Sequence, residues 1–214
     1  MVMKVVSVNV SMPIETTYEQ RRVATGIFKT PISGPVEVGR LNLAGDGQAD
    51  LSVHGGVDKA VYAYSVDHYA YWRAVLGLAS LPYGQFGENL SVSELDEKVS
   101  CIGDRLQIGT AIFAITQPRV PCFKLGMRFD NAALPRMFTE SGRTGFYMKV
   151  LCEGNLTSGD AVHVVEKQRD SVAVHDLFRA YLGPPSTASR ELLTRAAAIP
   201  DLAEEWRRKI QSRL

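Results

Sequence analysis

The chain has 214 residues, 45% of them apolar, and its 24 Lys and Arg nearly balance 23 Asp and Glu for a formal net charge of +1. That is the size of one domain with a small appendage, with enough apolar residues for an ordinary core. The charge balance excludes an electrostatic footprint for nucleic acid, and no apolar run approaches a membrane span.

Residues 2–10 are rich in β-branched side chains and alternate in their second half, which predicts a first strand. This segment lacks the small-residue cleavage pattern of a secretory signal. The three cysteines, Cys101, Cys122 and Cys152, cannot all pair with one another. Both features point to a reducing cytoplasm. Further strands are expected at 26–29, 89–92, 105–108, 111–116, 146–151 and 161–165. Many end at Gly turns such as Ile102-Gly103-Asp104 and Ser158-Gly159-Asp160. The pair 105–108 and 111–116, joined at Gly109-Thr110, reads as a tight hairpin. Short strands with Gly turns predict a barrel or sandwich. Helices are expected at 67–76 and 131–140.

After about residue 166 the pattern changes to three short amphipathic helices. Val174, Leu177, Phe178, Tyr181 and Leu182 form an apolar stripe at helical spacing, stopped by Gly183-Pro184-Pro185. Leu192, Leu193, Ala196 and Ile199 mark the second helix. Asp201 with Glu204 reads as the N-cap signal of the third, along which Leu202, Trp206, Ile210 and Leu214 recur. Its other face carries Arg207, Arg208, Lys209 and Arg213, which reads as a solvated face before it reads as a partner contact. The chain therefore divides into a β-rich unit, 1–166, and a three-helix segment, 167–214. The fold class is mainly β with helices, α+β.

The chemistry concentrates at Gln117-Pro118-Arg119-Val120-Pro121-Cys122-Phe123-Lys124. Two prolines make this a stiff turn. Arg119 and Lys124 place positive charge near the sulfur and favour a thiolate. Such a thiolate suits nucleophilic attack or ligation of a soft transition metal; the bland alternative is a buried structural cysteine. No nucleophile elbow, Walker loop, Cys-x-x-Cys pair or His-Glu-x-x-His helix occurs. Of the four histidines, His54 is the best candidate base for a Cys–His site. It opens His54-Gly55-Gly56-Val57-Asp58-Lys59, where two glycines permit close backbone approach to a ligand and Lys59 offers charge to a phosphate. Phe86-Gly87-Glu88-Asn89-Leu90 and Ser141-Gly142-Arg143-Thr144-Gly145 add polar groups at strand mouths. A surface turn explains either one alone.

Taken in order, these segments resemble the MOSC-domain family, named after the C-terminal domain of molybdenum cofactor sulfurase, and more closely its YiiM-type members with a C-terminal three-helix segment. The matching residues are Gly45-Asp46 with Gln48-Ala49-Asp50; Val53-His54-Gly55-Gly56 with Asp58-Lys59-Ala60-Val61; Phe86-Gly87-Glu88-Asn89-Leu90; Ile102-Gly103-Asp104; Gln117-Pro118-Arg119 with Pro121-Cys122 and Lys124; Gly142-Arg143-Thr144-Gly145; and Gly159-Asp160. Phe146 departs from a frequent tryptophan, and the helical tail is short.

The resemblance implies a β-barrel core that binds the pyranopterin molybdenum cofactor, with Cys122 as the protein ligand to the metal. It implies that Lys59, Arg119 and Arg143 hold the cofactor's phosphate or pterin, with Asn89, Gly55 and Gly56 adding polar contacts and His54 offering a proton. The implied activity is reduction of N-hydroxylated compounds, hydroxylaminopurine-type base analogues and amidoximes, to amines or amidines, a detoxifying reaction. Electrons are expected from a separate flavin or iron–sulfur reductase, since nothing in the chain resembles such a site. The alternative is a non-catalytic carrier of cofactor or sulfur on Cys122, and behind it a metal-free cysteine hydrolase using Cys122 and His54.

Overall fold

The computed structural model describes residues 2–49 and 55–214. The strands are β1 (Lys4–Val10), β2 (Ile14–Tyr18), β3 (Arg21–Thr25), β4 (Thr30–Ile32) and β5 (Val36–Val38), then β6 (Val61–Ser65), β7 (Leu90–Ser93), β8 (Arg105–Ile108), β9 (Ala111–Pro118), β10 (Phe146–Cys152), β11 (Gly154–Leu156) and β12 (Val162–Glu166). The helices are α1 (Asp67–Leu76), α2 (Phe123–Phe129), α3 (Leu134–Ser141), α4 (Val174–Leu182), α5 (Thr187–Ala198) and α6 (Glu204–Gln211). A short 3-10 turn, Val57–Lys59, precedes β6. Among the described residues, no helix is long and apolar enough to cross a membrane.

Eight strands form one mixed sheet in the order β12-β8-β9-β10-β6-β7-β1-β4, antiparallel except for β6 beside β7. Among the described residues, no ladder closes this sheet into the expected barrel. The free edge of β1 is divided between two neighbours. Val8, Asn9 and Val10 pair with β4, while Val5 N donates to Asp160 O at 2.9 Å and Val162 N to Met3 O at 2.9 Å. One isolated bridge, Lys4 to Ala161, thus brings β1 to the start of β12.

One expected strand is replaced by a link. Residues 26–29 are not a strand. They link β3 to β4, and a Cβ on Gly26 would lie 2.9 Å from Gly47 O, so this segment is pressed against the chain opposite rather than into a ladder. The hairpin β2–β3 that precedes it turns on Glu19 and Gln20, both at positive φ, instead of the Asn or Gly such turns favour.

The C-terminal helices pack on the sheet. Leu177 of α4, Leu193 and Ala196 of α5 and Trp206 and Ile210 of α6 belong to the same buried cluster as Val61 of β6, Phe113 of β9 and Met148 of β10. The cap of α6 is Ala203, not Asp201. Asp201 is taken by Lys149 at 2.7 Å, and Ala203 N donates to Thr116 O at 3.1 Å. The basic face is also less free than its spacing implies. The Arg207 guanidinium donates to the carbonyls of Ala197 and Ile199, and that of Arg213 to Tyr181 and Gly183. These arginines satisfy the carbonyls that helix ends leave open. Of the four, Arg208 at 72% and Lys209 at 45% remain exposed.

Candidate functional site

A cleft of about 110 Å³ opens where the 26–29 link, the Asp46–Ala49 stretch, the 3-10 turn and the loop after β9 converge. Cys122, Arg119, Lys59, Asn89, Lys29 and Asp46 are in its wall.

β9 ends at Pro118, and the Pro121-Cys122 step then starts α2. Cys122 is half-buried and extended (φ −126°, ψ 177°), and its carbonyl accepts from Leu125 N at 3.0 Å. The turn therefore fixes the backbone under the thiol. Lys124, expected to add charge here, lines the same cleft and donates from Nζ to Ala24 O at 2.9 Å.

Arg119 is 5% exposed, and its guanidinium lies 5.0 Å from the ring centre of Phe138 and 5.4 Å from that of Tyr62. Nη2 makes one long bond, 3.4 Å, to Phe86 O, while Nη1 is buried and makes no hydrogen bond of good geometry among the described residues, although the guanidinium also interacts with the Tyr147 hydroxyl. Burial opposes its charge, but the nearby Tyr62, Tyr147 and Cys122 outweigh burial and hold its pKa above the ordinary arginine value. Burial pushes the Tyr147 hydroxyl up, against the pull of Arg119. A buried cation with an unspent donor in a polar cleft is a group waiting for an acceptor.

Deeper in, Lys29 and Asp46 form a buried ion pair through Nζ and Oδ1. Asp46 also accepts from Ser11 N at 2.9 Å and from Asn89 Nδ2 at 2.8 Å. Burial lowers the Lys29 pKa despite Asp46 and Glu88. Asn89 meets the cleft, but its amide already serves the framework. Its Oδ1 accepts from Tyr62 N at 3.0 Å, and its Nδ2 is given to Asp46. Glu88 turns inward, accepting from Gly84 N at 2.9 Å, Phe86 N at 3.1 Å and Ser91 Oγ at 2.8 Å.

Lys59 stands on the 3-10 turn. Gly56 enters that turn at φ 94°, a conformation glycine adopts without strain. The Gln48 side chain clamps it, accepting from Gly56 N at 2.7 Å and donating to Lys59 O at 3.3 Å. Lys59 Nζ lies 2.6 Å from Glu205 Oε2 on α6, a partner that no sequence spacing announces.

The expected site residues thus divide. Cys122, Arg119, Lys59 and Asn89 share the cleft; Gly55 and Gly56 form the turn beside it and are not on its described wall. His54 lies outside the described residues. Arg143 is elsewhere. Its guanidinium stacks 3.9 Å from the Tyr71 ring centre and lines a separate hollow with His68, Glu97 and His175. The same loop reaches the site only through the backbone: Gly145 O accepts from Arg119 N at 3.3 Å, and neither Gly145 nor Arg143 is on the cleft's described wall. Lys29 and Tyr147 had no local motif to mark them.

Among the described residues, no group of three or more His, Cys, Asp and Glu is placed to hold a bare metal ion. A single thiol beside buried cations fits a metal that arrives with its own sulfur ligands and an anionic tail.

Residues 50–163 match the MOSC domain family, and residues 172–214 match the YiiM-like, 3-alpha helix domain. The protein YflK of Bacillus subtilis is 37% identical over 205 residues, covering 95% of this chain and 90% of that one. A Gibberella moniliformis protein named Reductase is 32% identical over 192 residues, covering 86% of this chain and 34% of its own. Among solved structures, YiiM from Geobacillus stearothermophilus superposes with a TM-score of 0.84 at 34% identity, covering 99% of each chain.

Proposed function

Because the chain belongs to the MOSC-domain family and carries a YiiM-like three-helix domain, we propose that its cleft holds the molybdenum cofactor and reduces N-hydroxylated compounds. The observation that supports this most is Arg119: a buried cation with Nη1 unspent, in the wall that also carries the Cys122 thiol.

In this reading Cys122 ligates the metal from a backbone fixed by Pro121 and the start of α2. Arg119 and Lys59 receive the anionic and pterin oxygens through charge-assisted hydrogen bonds. The cofactor supplies two-electron redox chemistry at a sulfur-ligated metal. The overall change is R–NHOH plus two electrons and two protons giving R–NH2 and water, with the N–O bond broken and its oxygen leaving as water. Tyr62 and Tyr147, whose hydroxyls burial keeps protonated, wall the cleft and help exclude bulk water. Electrons come from a separate reductase of flavin or iron–sulfur class. A relative that is named Reductase and is longer than this chain supports the reductive direction.

The test is molybdenum per chain in protein from a cofactor-competent host, with turnover of an N-hydroxylated base by a chemical reductant. About one metal per chain and turnover are expected, and Cys122→Ser abolishes turnover while the fold is retained. Metal-free protein that carries a persulfide on Cys122 refutes the reading in favour of a sulfur carrier.

A further inference from the structure

α6 sends one carboxylate to Lys59, a residue of the cleft wall. Glu205 Oε2 lies 2.6 Å from Lys59 Nζ, while Oε1 is held by Lys209 one helical turn on. Lys59 is 9% exposed at its side chain and Glu205 37%, so the pair is only partly screened by solvent. Burial acts to raise the Glu205 pKa, but Lys209 and Lys59 outweigh it and hold the carboxyl below its usual range. The Tyr147 hydroxyl in the cleft wall also feels the Glu205 charge. The helix is not free to carry this carboxylate away. Trp206 and Ile210 are buried, and Ala203 N is bonded to Thr116 O on the strand that leads to Arg119.

We propose that Glu205 is a built-in competitor for Lys59: an anionic group entering the cleft must take the Lys59 ammonium from this carboxylate, which Lys209 then retains on α6. The three-helix segment thereby sets how tightly the cleft holds its anion. This rests on the reading of Lys59 as an anion-holding residue. A carboxylate within hydrogen-bond distance of a cation occupies one of its donors and repels a second anion brought to it. Glu205 is half-exposed, so changing it to Gln leaves core packing unaltered.

The experiment uses the full chain from a host without the molybdenum cofactor, titrated calorimetrically with inorganic pyrophosphate. Glu205→Gln is expected to tighten binding about two- to fivefold, the upper part of the range of a partly screened ion pair. The same substitution in a Lys59→Met background is expected to gain less than about twofold, because the coupling runs through one side chain. Glu204→Gln, on the same helix with its side chain 62% exposed, removes an equal charge and serves as the control, with a change under about twofold expected. Unchanged or weaker binding in Glu205→Gln overturns the proposal. So does an equal gain when Lys59 is Met, which would reveal a diffuse charge effect. If Lys59→Met alone binds like the parent, or if pyrophosphate binds neither protein, the anion-holding role of Lys59 falls as well.

Discussion

Arg119→Met separates a residue that serves the fold from one that serves a ligand. Methionine fills the same slot between the Phe138 and Tyr62 rings without the charge. In the empty protein two effects oppose. Removing a buried N–H with no acceptor, such as Nη1, relieves about 1–3 kcal/mol. Against this stand two ring contacts at 5.0 and 5.4 Å, each worth about 0.5–2 kcal/mol, and one long bond to Phe86 O. The net change in stability is therefore expected to be within about 2 kcal/mol of zero. Loss of a charge-assisted bond to the cofactor, about 1.5–3 kcal/mol, should weaken retention about ten- to hundredfold. Urea unfolding of metal-free protein measures the first quantity, and molybdenum per chain after dialysis measures the second. A variant destabilised by more than about 4 kcal/mol that keeps its full molybdenum content would show that the reasoning is wrong.

Asp46→Asn leaves Lys29 buried without its counter-charge and should cost about 3–5 kcal/mol in urea unfolding; adding Lys29→Met should recover much of that loss. For Glu97, burial acts to raise the pKa, but the hydrogen bond and charge of His68 and the Gly145 N–H outweigh it and hold the carboxyl below its usual range. A depressed carboxylate gives stability that is complete above its unfolded value of about 4.3 and is lost as pH falls through the folded value. Glu97→Gln should therefore flatten the fall in urea midpoint between about pH 5 and pH 3, and parallel profiles would count against the pairing. Gly145→Ala places a Cβ 2.3 Å from Ala63 O at φ +64°, whereas Gly159→Ala meets nothing within 4 Å. Thermal melts should show the first costing at least about 2 kcal/mol and clearly more than the second.

Local patterns were read well where the cause is local. α1 and β8 have the bounds that periodicity predicts, and β9 extends its predicted strand only to Pro118. The Pro-framed Cys122 loop joins β9 to α2 as its composition requires. α3 starts three residues later than expected because Asn131 Oδ1 accepts from Ala133 N and holds a turn ahead of the helix. What the sequence hid is set by distant pairings. Lys29 looked like part of a strand until Asp46 claimed it, and Arg143, expected beside the other cleft residues, stacks on the Tyr71 ring in a separate hollow. Glu205 belonged to a helix read by its apolar stripe, and the cleft is distant in sequence from that helix. The basic face of that helix is solvated as expected at Arg208 and Lys209, but not at Arg207 and Arg213, because the carbonyls that bind them belong to other turns.

The seat that Thr116 offers α6 also orders events in time. Cys122 and Arg119 leave the ribosome 83 residues or more ahead of Glu205. At elongation rates of about 5–20 residues per second that is a delay of about 4–17 seconds, during which the Cys122 loop exists without the helix that finishes its surroundings. An anion reaching the nascent chain in that interval would meet Lys59 before Glu205 is there to compete for it, so loading of the cleft is best suited to follow translation of the helices.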